Sequence, residues 1–490
     1  MKREFLRLLK DKGRTEPPKV LIAAAECAPL AKTGGLADVV GTLPKALAAL
    51  GIDARVIIPY HRVIKEAYAG QAEHLFHFDA RLGWRSQYAG IEKLVLDGVT
   101  IYLVDNEFYF GDKIYMGGEA EGEQYAFFCR AVLDAIPNLG FFPDVLHCND
   151  WHTAMIPMLL RTQYDNGIHS PMKTLLTIHN LAYQGRFGFG FFKDVLDVPD
   201  GYYTPDYLEN NGCASFMKAG CVFADRLSTV SPSYAQEICT PEFGEGLDGI
   251  LRARSADLCG IINGIDRAVF NPFADPCVPH RFDKGHLNGK ARCKGALAAE
   301  LGLETAPDTP IVAMVTRMTE QKGFDLVLRA LDGIMDLDVG FVLLGSGTPE
   351  YEGAMLAAES RYPGRFRACL GYNEPLSHRI YAGADIFLMP SRFEPCGLSQ
   401  MIAMRYGTIP VVHATGGLRD TVTPFDGADG NGFSFAEYHE TPMLDALRQA
   451  VELYRNQPDV WKDLVRNAMN EDFGFARSAE SYAKLYMELL

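Results

Sequence analysis

Two short segments of the chain carry the same pattern of glycine and acidic residues. The first, KTGGLADVV, covers residues 32–40, and the second, ATGGLRDTV, covers residues 414–422. Each follows an apolar run and precedes a helical pattern, so we place both at turns between a strand and a helix. Paired glycines let backbone N–H groups approach a ligand closely, and the start of a helix favours an anion. A tight turn without a ligand is the alternative for either copy alone.

The second half of the chain adds charged residues directly after apolar strands. Arg317 and Lys322 lie in TRMTEQKG, and two cations in such a loop suit a diphosphate. A solvated basic loop is the alternative. Glu394 lies in SRFEPCGLSQ, just after the apolar run IFLMP and beside Cys396 and Gly397. A carboxylate at the end of a buried strand is more typical of a binding site than of a core.

The first half places polar residues at the ends of two apolar runs. Asp150 follows DVLHCN, whereas His179 and Asn180 follow KTLLTI. A histidine in this position is often a core or capping residue, but the adjacent amide favours a site. The segment EFYFGDKIYMGG, residues 107–118, is rich in aromatic residues and glycine. It either stacks against sugar rings or forms a packed hairpin.

This mixture of side chains indicates recognition of sugars and phosphates. Carboxylates and amides bind hydroxyl groups, aromatic rings stack on sugar faces, and cations bind a phosphate leaving group. The sequence has no G-x-S-x-G elbow and no complete P-loop. The 12 histidines show no metal-ligand spacing, so we predict neither a metal site nor a cofactor.

The elements that must position these residues form two successive series of strands and helices. Strand, helix and strand follow one another in KVLIAAAECAP, LADVVGTLPKALAALG and DARVIIPY, with a kink or break expected at Pro44. The same rhythm restarts near residue 308 with DTPIVAMVTRM. We therefore predict an α/β protein with two doubly wound parallel sheets. Ligands are expected in a cleft between the two domains, at the carboxyl ends of the strands.

The amino-acid composition excludes some classes of binding partner and favours others. The chain has 490 residues, 48% of them apolar and 22% charged, with a net charge of −15. An acidic surface repels phosphate backbones and anionic lipids, so nucleic acids and membranes are poor partners. No apolar run is long enough to suggest a membrane span. The 11 cysteines are scattered without a CxxC pair, which predicts reduced thiols and a cytoplasmic protein.

Together these segments resemble the bacterial glycogen synthases and plant starch synthases. Those proteins are retaining glucosyltransferases with the GT-B fold, in which two Rossmann-like domains face each other across a cleft. The resemblance runs from about residue 19 to the end of the chain. Beside the two Gly-Gly segments, it is carried by HCNDWHTA, TIHNLAYQG, IINGID, TRMTEQKG, SRFEPCGLSQ and the terminal EDFGFARSAESYAKLY.

The resemblance implies a division of the chain into four parts. Residues 1–18 are expected to be a flexible or helical extension, because they are basic and lack the apolar centre of a signal peptide. Residues 19–260 would form the first Rossmann-like domain and residues 261–470 the second, nucleotide-sugar-binding domain. Residues 471–490 resemble the family's terminal helix, which packs back on the first domain.

The resemblance also implies a donor site to which both domains contribute. The implied catalytic residues are Asp150, His179, Arg317, Lys322 and Glu394. The implied substrate-binding residues are Lys32, Gly34, Gly35, Asp38, Asn180, Asn263, Cys396, Gly397, Thr415, Gly416 and Gly417. In this arrangement the two cations hold a diphosphate, Glu394 binds glucose hydroxyls, and the two Gly-Gly turns meet across the donor.

The implied activity is that of a glycogen or starch synthase. Such an enzyme transfers glucose from ADP-glucose to the 4-hydroxyl at the non-reducing end of an α-1,4-glucan, with retention of configuration. Two alternatives stay open, namely UDP-glucose as the donor and a catalytically inactive glucan- or nucleotide-binding protein of the same fold. A nicotinamide oxidoreductase is disfavoured, because GSGTPE at residues 345–350 lacks the third glycine of the dinucleotide fingerprint. Oligomeric state, preferred acceptor length and regulation do not follow from the sequence.

Overall fold

The computed structural model describes residues 2–165 and 167–490. The chain divides into two compact units. Unit 1 contains the residues up to Gly264 together with Phe475–Leu490, and unit 2 is Ile265–Gly474. The extension expected at residues 1–18 contains a helix, α1, over Lys2–Asp11, and residue 1 itself lies outside the described residues.

Unit 1 is an α/β unit built on one large sheet. Its strands are β1 (Lys19–Ala23), β2 (Asp53–Pro59), β3 (Glu73–Leu82), β4 (Arg85–Leu96), β5 (Val99–Asp105), β6 (Val145–Asn149), β7 (Lys173–Ile178), β8 (Arg186–Phe187), β9 (Glu209–Asn210), β10 (Cys213–Ser215), β11 (Arg226–Thr229) and β12 (Leu258–Gly260). Its helices before residue 264 are α1, α2 (Gly35–Leu50), α3 (Arg62–Ala67), α4 (Gly118–Ala135), α5 (Met155–Thr162), α6 (Phe189–Leu196), α7 (Phe216–Phe223), α8 (Pro232–Glu237) and α9 (Asp248–Ala253).

Among the described residues of unit 1, nine strands form the main sheet in the order β12-β11-β7-β6-β1-β2-β5-β4-β3. The seven strands from β12 to β5 run parallel, and β4 and β3 are added as antiparallel strands at one edge. The strands β8, β10 and β9 form a small separate antiparallel sheet. Because β1, β6 and β7 are neighbours and parallel, the loops that follow them lie at one edge of the sheet.

Three local predictions for unit 1 differ from the structure. The first strand ends at Ala23, although the N–H of Ala24 still donates to Ile57 on β2. The rest of residues 24–34 form a loop, in which some N–H groups donate to carbonyls of the same loop or to side chains, as Cys27 does to Ala31 and Thr33 to Glu26. The break that was one alternative at Pro44 does not occur, because the buried face of α2 packs along most of its length and outweighs the lost backbone bond, while a kink there stays a prediction. Residues 107–117 of the segment 107–118 form a loop between β5 and α4, with Tyr109 and Phe110 buried in the core, so the hairpin alternative was wrong.

Unit 2 is a smaller α/β unit of regular doubly wound form. Its strands are β13 (Ile311–Val315), β14 (Gly340–Gly345), β15 (Phe366–Leu370), β16 (Ile386–Met389), β17 (Ile409–His413) and β18 (Phe433–Phe435). Its helices are α10 (Asn288–Leu301), α11 (Phe324–Met335), α12 (Pro349–Arg361), α13 (Glu374–Gly383), α14 (Ser399–Arg405), α15 (Gly416–Thr421), α16 (Glu440–Asn456) and α17 (Pro458–Asn470). Across residues 265–474, all of them described, six parallel strands lie in the order β15-β14-β13-β16-β17-β18.

The last helix, α18 (Phe475–Leu489), belongs to unit 1, where it packs on α2 and α1. Its Tyr482 and Tyr486 are almost fully buried in the core that surrounds β1 and α2. The hydroxyl of Tyr486 lies 2.8 Å from Nδ1 of His147 on β6, and Nε2 of the same ring lies 2.7 Å from Oγ1 of Thr177 on β7. A buried polar chain thus joins the C-terminal helix to the centre of the sheet, and each member finds a partner there.

Candidate functional site

In unit 2 the candidate residues follow three neighbouring strands. Lys322 lies in the loop after β13, Glu394 in the loop after β16, and Thr415 to Gly417 in the turn after β17. Since β13, β16 and β17 are adjacent and parallel, their carboxyl ends bring these loops together at one edge of the sheet. The structure therefore brings the side chains of Lys322 and Glu394, which are 72 residues apart in the chain, within contact distance.

A buried ion pair lies at the centre of this edge. Nζ of Lys322 is 2.5 Å from Oε2 of Glu394, and the hydroxyl of Ser391 donates to the same oxygen at 3.0 Å. Glu394 is only 5% exposed, so its charge needs these partners. Within the described chain, Oε1 of Glu394 accepts no protein hydrogen bond, which leaves one carboxylate oxygen for a ligand.

The second Gly-Gly turn packs directly on the loop that carries Glu394. The N–H of Gly417 donates to the backbone oxygen of Glu394 at 3.0 Å. A Cβ atom on Gly417 would lie 2.3 Å from the backbone oxygen of Cys396, so this position has no room for a side chain. Gly416 has φ 44°, a conformation that favours glycine. Close backbone packing, rather than turn flexibility, thus requires the glycine at 417.

A buried glutamine fastens this loop to α15. Nε2 of Gln400 donates to the backbone oxygens of Cys396 at 3.0 Å and Gly397 at 2.9 Å, and to Oγ1 of Thr421 at 3.0 Å. Cys396 is buried and Gly397 has φ 73°. The predicted site residues Cys396 and Gly397 are therefore part of one rigid hydrogen-bonded segment with Thr415, Gly416 and Gly417.

Arg317 follows the end of β13 and is exposed to solvent. It forms no ion pair with any residue that the structure describes, whereas Lys322 in the same loop is already paired with Glu394. The two predicted cations thus differ in character. Lys322 is held in place by a carboxylate, and Arg317 retains the freedom to bind an anion from solution.

In unit 1 the strands β6 and β7 bring Asp150, His179 and Asn180 together. Oδ1 of Asp150 accepts the N–H of His179 at 2.7 Å and that of Asn180 at 3.2 Å. Asp150 also has φ 57°, a strained conformation for a residue with a side chain. Burial and the negative charge of Glu26 raise the pKa of Asp150 to about 7 against the opposing effect of the two N–H groups. Its carboxyl group therefore changes protonation near neutral pH.

His179 is a neutral imidazole with a defined orientation. Burial lowers its pKa to about 3, so it carries no charge near neutral pH. Its Nε2 lies 2.9 Å from Oδ1 of Asn149, while Nδ2 of Asn149 donates to the backbone oxygen of Ala23 at 3.1 Å. Because the amide nitrogen of Asn149 faces a carbonyl, its oxygen accepts, and Nε2 of His179 carries the proton. Nδ1 is then left as an acceptor.

The first Gly-Gly turn has a different geometry from the second. Gly34 is the extended residue before α2, with φ −156°, and nothing lies within 4 Å of the position that a Cβ atom would occupy. Nζ of Lys32 is 2.7 Å from Oδ1 of Asp38, and both side chains are partly exposed. Gly35 is the first residue of α2. The four predicted residues of this turn thus lie together at the start of one helix.

The orientation of the N–H groups in both turns corrects one expectation. We expected them to point at a ligand, but the N–H of Gly34 donates to the carboxylate of Glu26 at 3.2 Å. The N–H of Gly417 likewise donates to the backbone of Glu394. These two donors hold the turns in shape and are not available to a ligand.

Sequence reasoning missed Glu26, which contacts this turn, and included Tyr115 only as part of the segment 107–118. The Glu26 carboxylate, 3% exposed, accepts the N–H and the hydroxyl of Thr33, the latter at 2.6 Å, and the hydroxyl of Tyr115. A signal was present, because one charged residue interrupts the apolar run LIAAAECAPLA. A carboxylate within an otherwise apolar run is rarely buried without a specific partner.

Asn263 lies three residues after β12, near the end of the first segment of unit 1. It is 6% exposed, and its Oδ1 has no hydrogen-bond partner among the described residues. A buried amide oxygen without a partner is costly, so the position is consistent with contact to a ligand or water.

One group of side chains has the composition of a metal site, and it is not among the predicted residues. Ligand atoms of Asp275, Cys277 and His378 lie within 4.8 Å of one another in unit 2. Oδ2 of Asp275 lies 2.6 Å from Nδ1 of His378 and also accepts the hydroxyl of Tyr406. These hydrogen bonds already give the buried carboxylate its partners, so the group is accounted for as a structural network.

Comparison with known proteins covers nearly the whole chain. Residues 19–253 match the family described as starch synthase catalytic domain, and residues 302–468 match glycosyl transferases group 1. A glycogen synthase of Geobacillus thermodenitrificans (strain NG80-2) is 48% identical over 475 residues, which cover 96% of this chain and 98% of the relative. A glycogen synthase of Streptococcus pneumoniae (strain ATCC 700669 / Spain 23F-1) is 46% identical, covering 96% of this chain and 100% of the relative.

Two solved structures have the same fold. The catalytic domain of starch synthase IV from Arabidopsis thaliana, bound to ADP and acarbose, superposes with a TM-score of 0.90 at 33% identity, covering 97% of this chain and 99% of that one. The sucrose-phosphate synthase of Thermosynechococcus elongatus superposes with a TM-score of 0.60 at 18% identity, covering 96% and 99%. The second likeness concerns the fold alone. Both support the predicted two-domain α/β architecture of the GT-B type.

The two Gly-Gly turns allow a matched test of local packing. Gly417→Ala should lower the unfolding temperature by about 2–10 °C, because a methyl group forced against the backbone costs about 1–3 kcal/mol. Gly34→Ala should leave it nearly unchanged, since the backbone is extended there and the space is open. Thermal unfolding of both variants, followed by circular dichroism, checks this difference. Equal shifts for the two variants would contradict the packing described for residue 417.

Proposed function

The chain belongs to the glycogen and starch synthase family of glycosyltransferases, and from this we propose that it transfers glucose from ADP-glucose to the 4-hydroxyl at the non-reducing end of an α-1,4-glucan, with retention of configuration. The observation that carries this proposal is the Lys322–Glu394 pair beside the turn at 415–417. The pair offers a carboxylate oxygen for sugar hydroxyls and a cation for phosphate at one edge of the sheet of unit 2. The starch synthase structure with bound ADP and acarbose supports a nucleotide-sugar donor and a glucan acceptor.

We assign the donor's diphosphate and glucose to the loops of unit 2. Oε1 of Glu394 would accept hydrogen bonds from glucose hydroxyls, and such charge-assisted bonds are strong. Lys322 and Arg317 would neutralise the diphosphate, the first from a fixed position and the second from solvent. Cys396 and Gly397, with Thr415, Gly416 and Gly417, would let the donor approach the backbone closely.

We assign to unit 1 a second group of contacts in the same reaction. His179 and Asn180 would bind glucose hydroxyls through neutral groups, and the ionised form of Asp150 would stabilise positive charge at the sugar. Lys32, Gly34, Gly35, Asp38 and Asn263 complete the proposed group of substrate contacts.

The proposed transfer proceeds on one face of the sugar. The bond between the anomeric carbon and the diphosphate oxygen breaks, and a bond to the acceptor's 4-oxygen forms on the same side. The proton of the 4-hydroxyl passes to the leaving phosphate. The oxocarbenium-like state between these events is stabilised by the fixed dipoles and charges that surround it. Because the leaving group gains charge as its bond breaks, its cationic partners act most strongly at that stage.

The remaining assignments concern location and partners. None of the helices in the described chain is both long and apolar enough to cross a membrane. We propose a cytoplasmic location, supported by the 11 cysteines, all of which are free thiols. The net charge of −15 supports small substrates and a neutral glucan rather than nucleic acid as partners.

The donor assignment is tested with glycogen as the primer and two nucleotide sugars. The rate with ADP-glucose should exceed that with UDP-glucose by about tenfold or more, which corresponds to about 1.4 kcal/mol of discrimination. Initial rates of glucan extension at matched donor concentrations measure it. Equal or reversed rates would refute the ADP-glucose assignment, and no extension with either donor would favour the inactive binding protein.

The role of Glu394 is tested by Glu394→Gln. The amide keeps the size of the side chain and one acceptor oxygen, so Ser391 and Lys322 retain a partner and the fold should persist. The charge-assisted bonds to glucose would be lost, at about 1.5–3 kcal/mol each, and kcat should fall by about tenfold to a hundredfold or more. Glu300→Gln, at a partly exposed pair with Arg379, serves as the control. A folded Glu394→Gln protein with wild-type turnover would exclude the role.

The cation assignment predicts that turnover needs no divalent metal. Rates should be unchanged in excess EDTA, while Arg317→Ala should lower kcat/KM by an amount equivalent to about 2–4 kcal/mol, as for loss of one preorganised donor. Arg317 suits this test because its removal leaves no buried carboxylate without a partner, unlike removal of Lys322. Arg329→Ala on α11 is the control. Loss of activity in EDTA that magnesium restores would show that the cations alone do not suffice.

A further inference from the structure

We propose that Glu26 is a positioning residue for glucose transfer, which holds the first Gly-Gly turn and Tyr115 in one arrangement through its two carboxylate oxygens. The inference rests on the function proposed above. It adds a residue that is not among the implied site residues, and that acts through its contacts with Thr33, Gly34 and Tyr115.

The two oxygens of Glu26 divide their partners by type. Oε1 accepts the hydroxyls of Thr33, at 2.6 Å, and of Tyr115. Oε2 accepts the backbone N–H groups of Thr33 and of Gly34, the latter at 3.2 Å. Within the described chain these four donors fill the acceptor positions that a carboxylate offers in its plane. The side chain therefore has one orientation, and so do the groups bound to it.

Packing does not account for the shape of this turn. Residues 32–35 are exposed, and open space surrounds Gly34 where a side chain would stand. An exposed turn can satisfy its N–H groups with water, whereas burying a carboxylate costs free energy on desolvation. The buried carboxylate of Glu26 thus fixes the conformation of a turn that packing contacts alone would not determine. That turn carries Lys32 and leads into α2, where Asp38 holds the lysine at 2.7 Å.

Glu26 also reaches the loop 107–118 and the end of β6. Tyr115 lies in that loop, and its ring is 5.0 Å from the ring of His152. His152 follows Asp150 by two residues, and the negative charge of Glu26 contributes to the raised pKa of Asp150. One carboxylate therefore touches or influences three segments that sequence reasoning had singled out separately, namely residues 32–38, 107–118 and 150–152.

The charged and titratable groups around Asp150 decide the sign of the expected pH effect. Burial and, to a lesser extent, Glu26 raise the pKa of Asp150, whereas the N–H groups of His179 and Asn180 lower it. Burial and the charge of Asp150 also raise the pKa of Tyr234. His179 is neutral near pH 7 and contributes no charge. Neutralising Glu26 therefore lowers the pKa of Asp150. If the ionised form of Asp150 is the active one, the acid limb of the activity profile moves to lower pH.

Two variants separate positioning from a general effect on stability. Glu26→Ala removes the acceptors of all these donors and should lower kcat/KM for ADP-glucose by about tenfold or more. Glu26→Gln keeps one oxygen for the backbone N–H groups, while its NH₂ donates to the two hydroxyls, which also accept. It should restore most of the rate at pH 8 and move the acid limb of the kcat/KM profile to lower pH. Glu209→Gln, where a carboxylate accepts the N–H of Gly212 in another loop, is the control.

The outcomes are distinguishable. Rescue by Glu26→Gln together with the shifted acid limb supports the proposal, since a merely structural carboxylate would change expression or unfolding temperature without moving the pH profile. Wild-type kinetics in Glu26→Ala, or an unmoved acid limb in a folded Glu26→Gln protein, would overturn it. Should Glu26→Ala fail to fold, the Gln variant alone decides. Absence of transfer by the wild-type protein would instead count against the proposed function.

Discussion

A carboxylate removed from water must find donors within the protein, and this requirement shapes the candidate residues of each unit. Glu394 is satisfied by a cation and a hydroxyl, Lys322 and Ser391, which leave its second oxygen without a protein partner. Glu26 is satisfied entirely by neutral donors. Asp150 receives two N–H groups yet has a pKa raised to about 7. These three acids thus differ in charge and in the number of oxygens left for a ligand, because their partners differ.

Much of the architecture follows from the pattern of the sequence. Apolar runs alternating with helical stretches predict parallel sheets. The seven parallel strands of unit 1 and the six of unit 2 confirm that prediction, while the antiparallel strands β3 and β4 were not foreseen. Residues in the loops that follow strands, such as Lys322, Glu394 and His179, could each be placed at the edge of their own sheet. The contact between Lys322 and Glu394 depends on β13 and β16 being neighbours, and that adjacency is a property of the whole sheet rather than of either loop.

Local sequence was less informative where tertiary contacts decide the conformation. The segments at residues 33–36 and 415–418 are identical, yet Gly34 is extended and open whereas Gly416 has positive φ and Gly417 packs on the Cys396 backbone. The helix α2 passes through Pro44 because its buried face outweighs one missing N–H. The lone charge of Glu26 in an apolar run was visible in the sequence, but its partners were not, because they include a tyrosine 89 residues further along the chain.

The return of the last helix to unit 1 has a consequence for the order in which the protein is made. The core around β1 and α2 includes Tyr482 and Tyr486. The hydroxyl of Tyr486 is also the hydrogen-bond partner of Nδ1 of His147. During synthesis, every residue of unit 2 leaves the ribosome before these tyrosines do. Unit 2, a continuous segment of the chain, holds all of its own strands at that point. The half of the protein that is translated first therefore completes its core last.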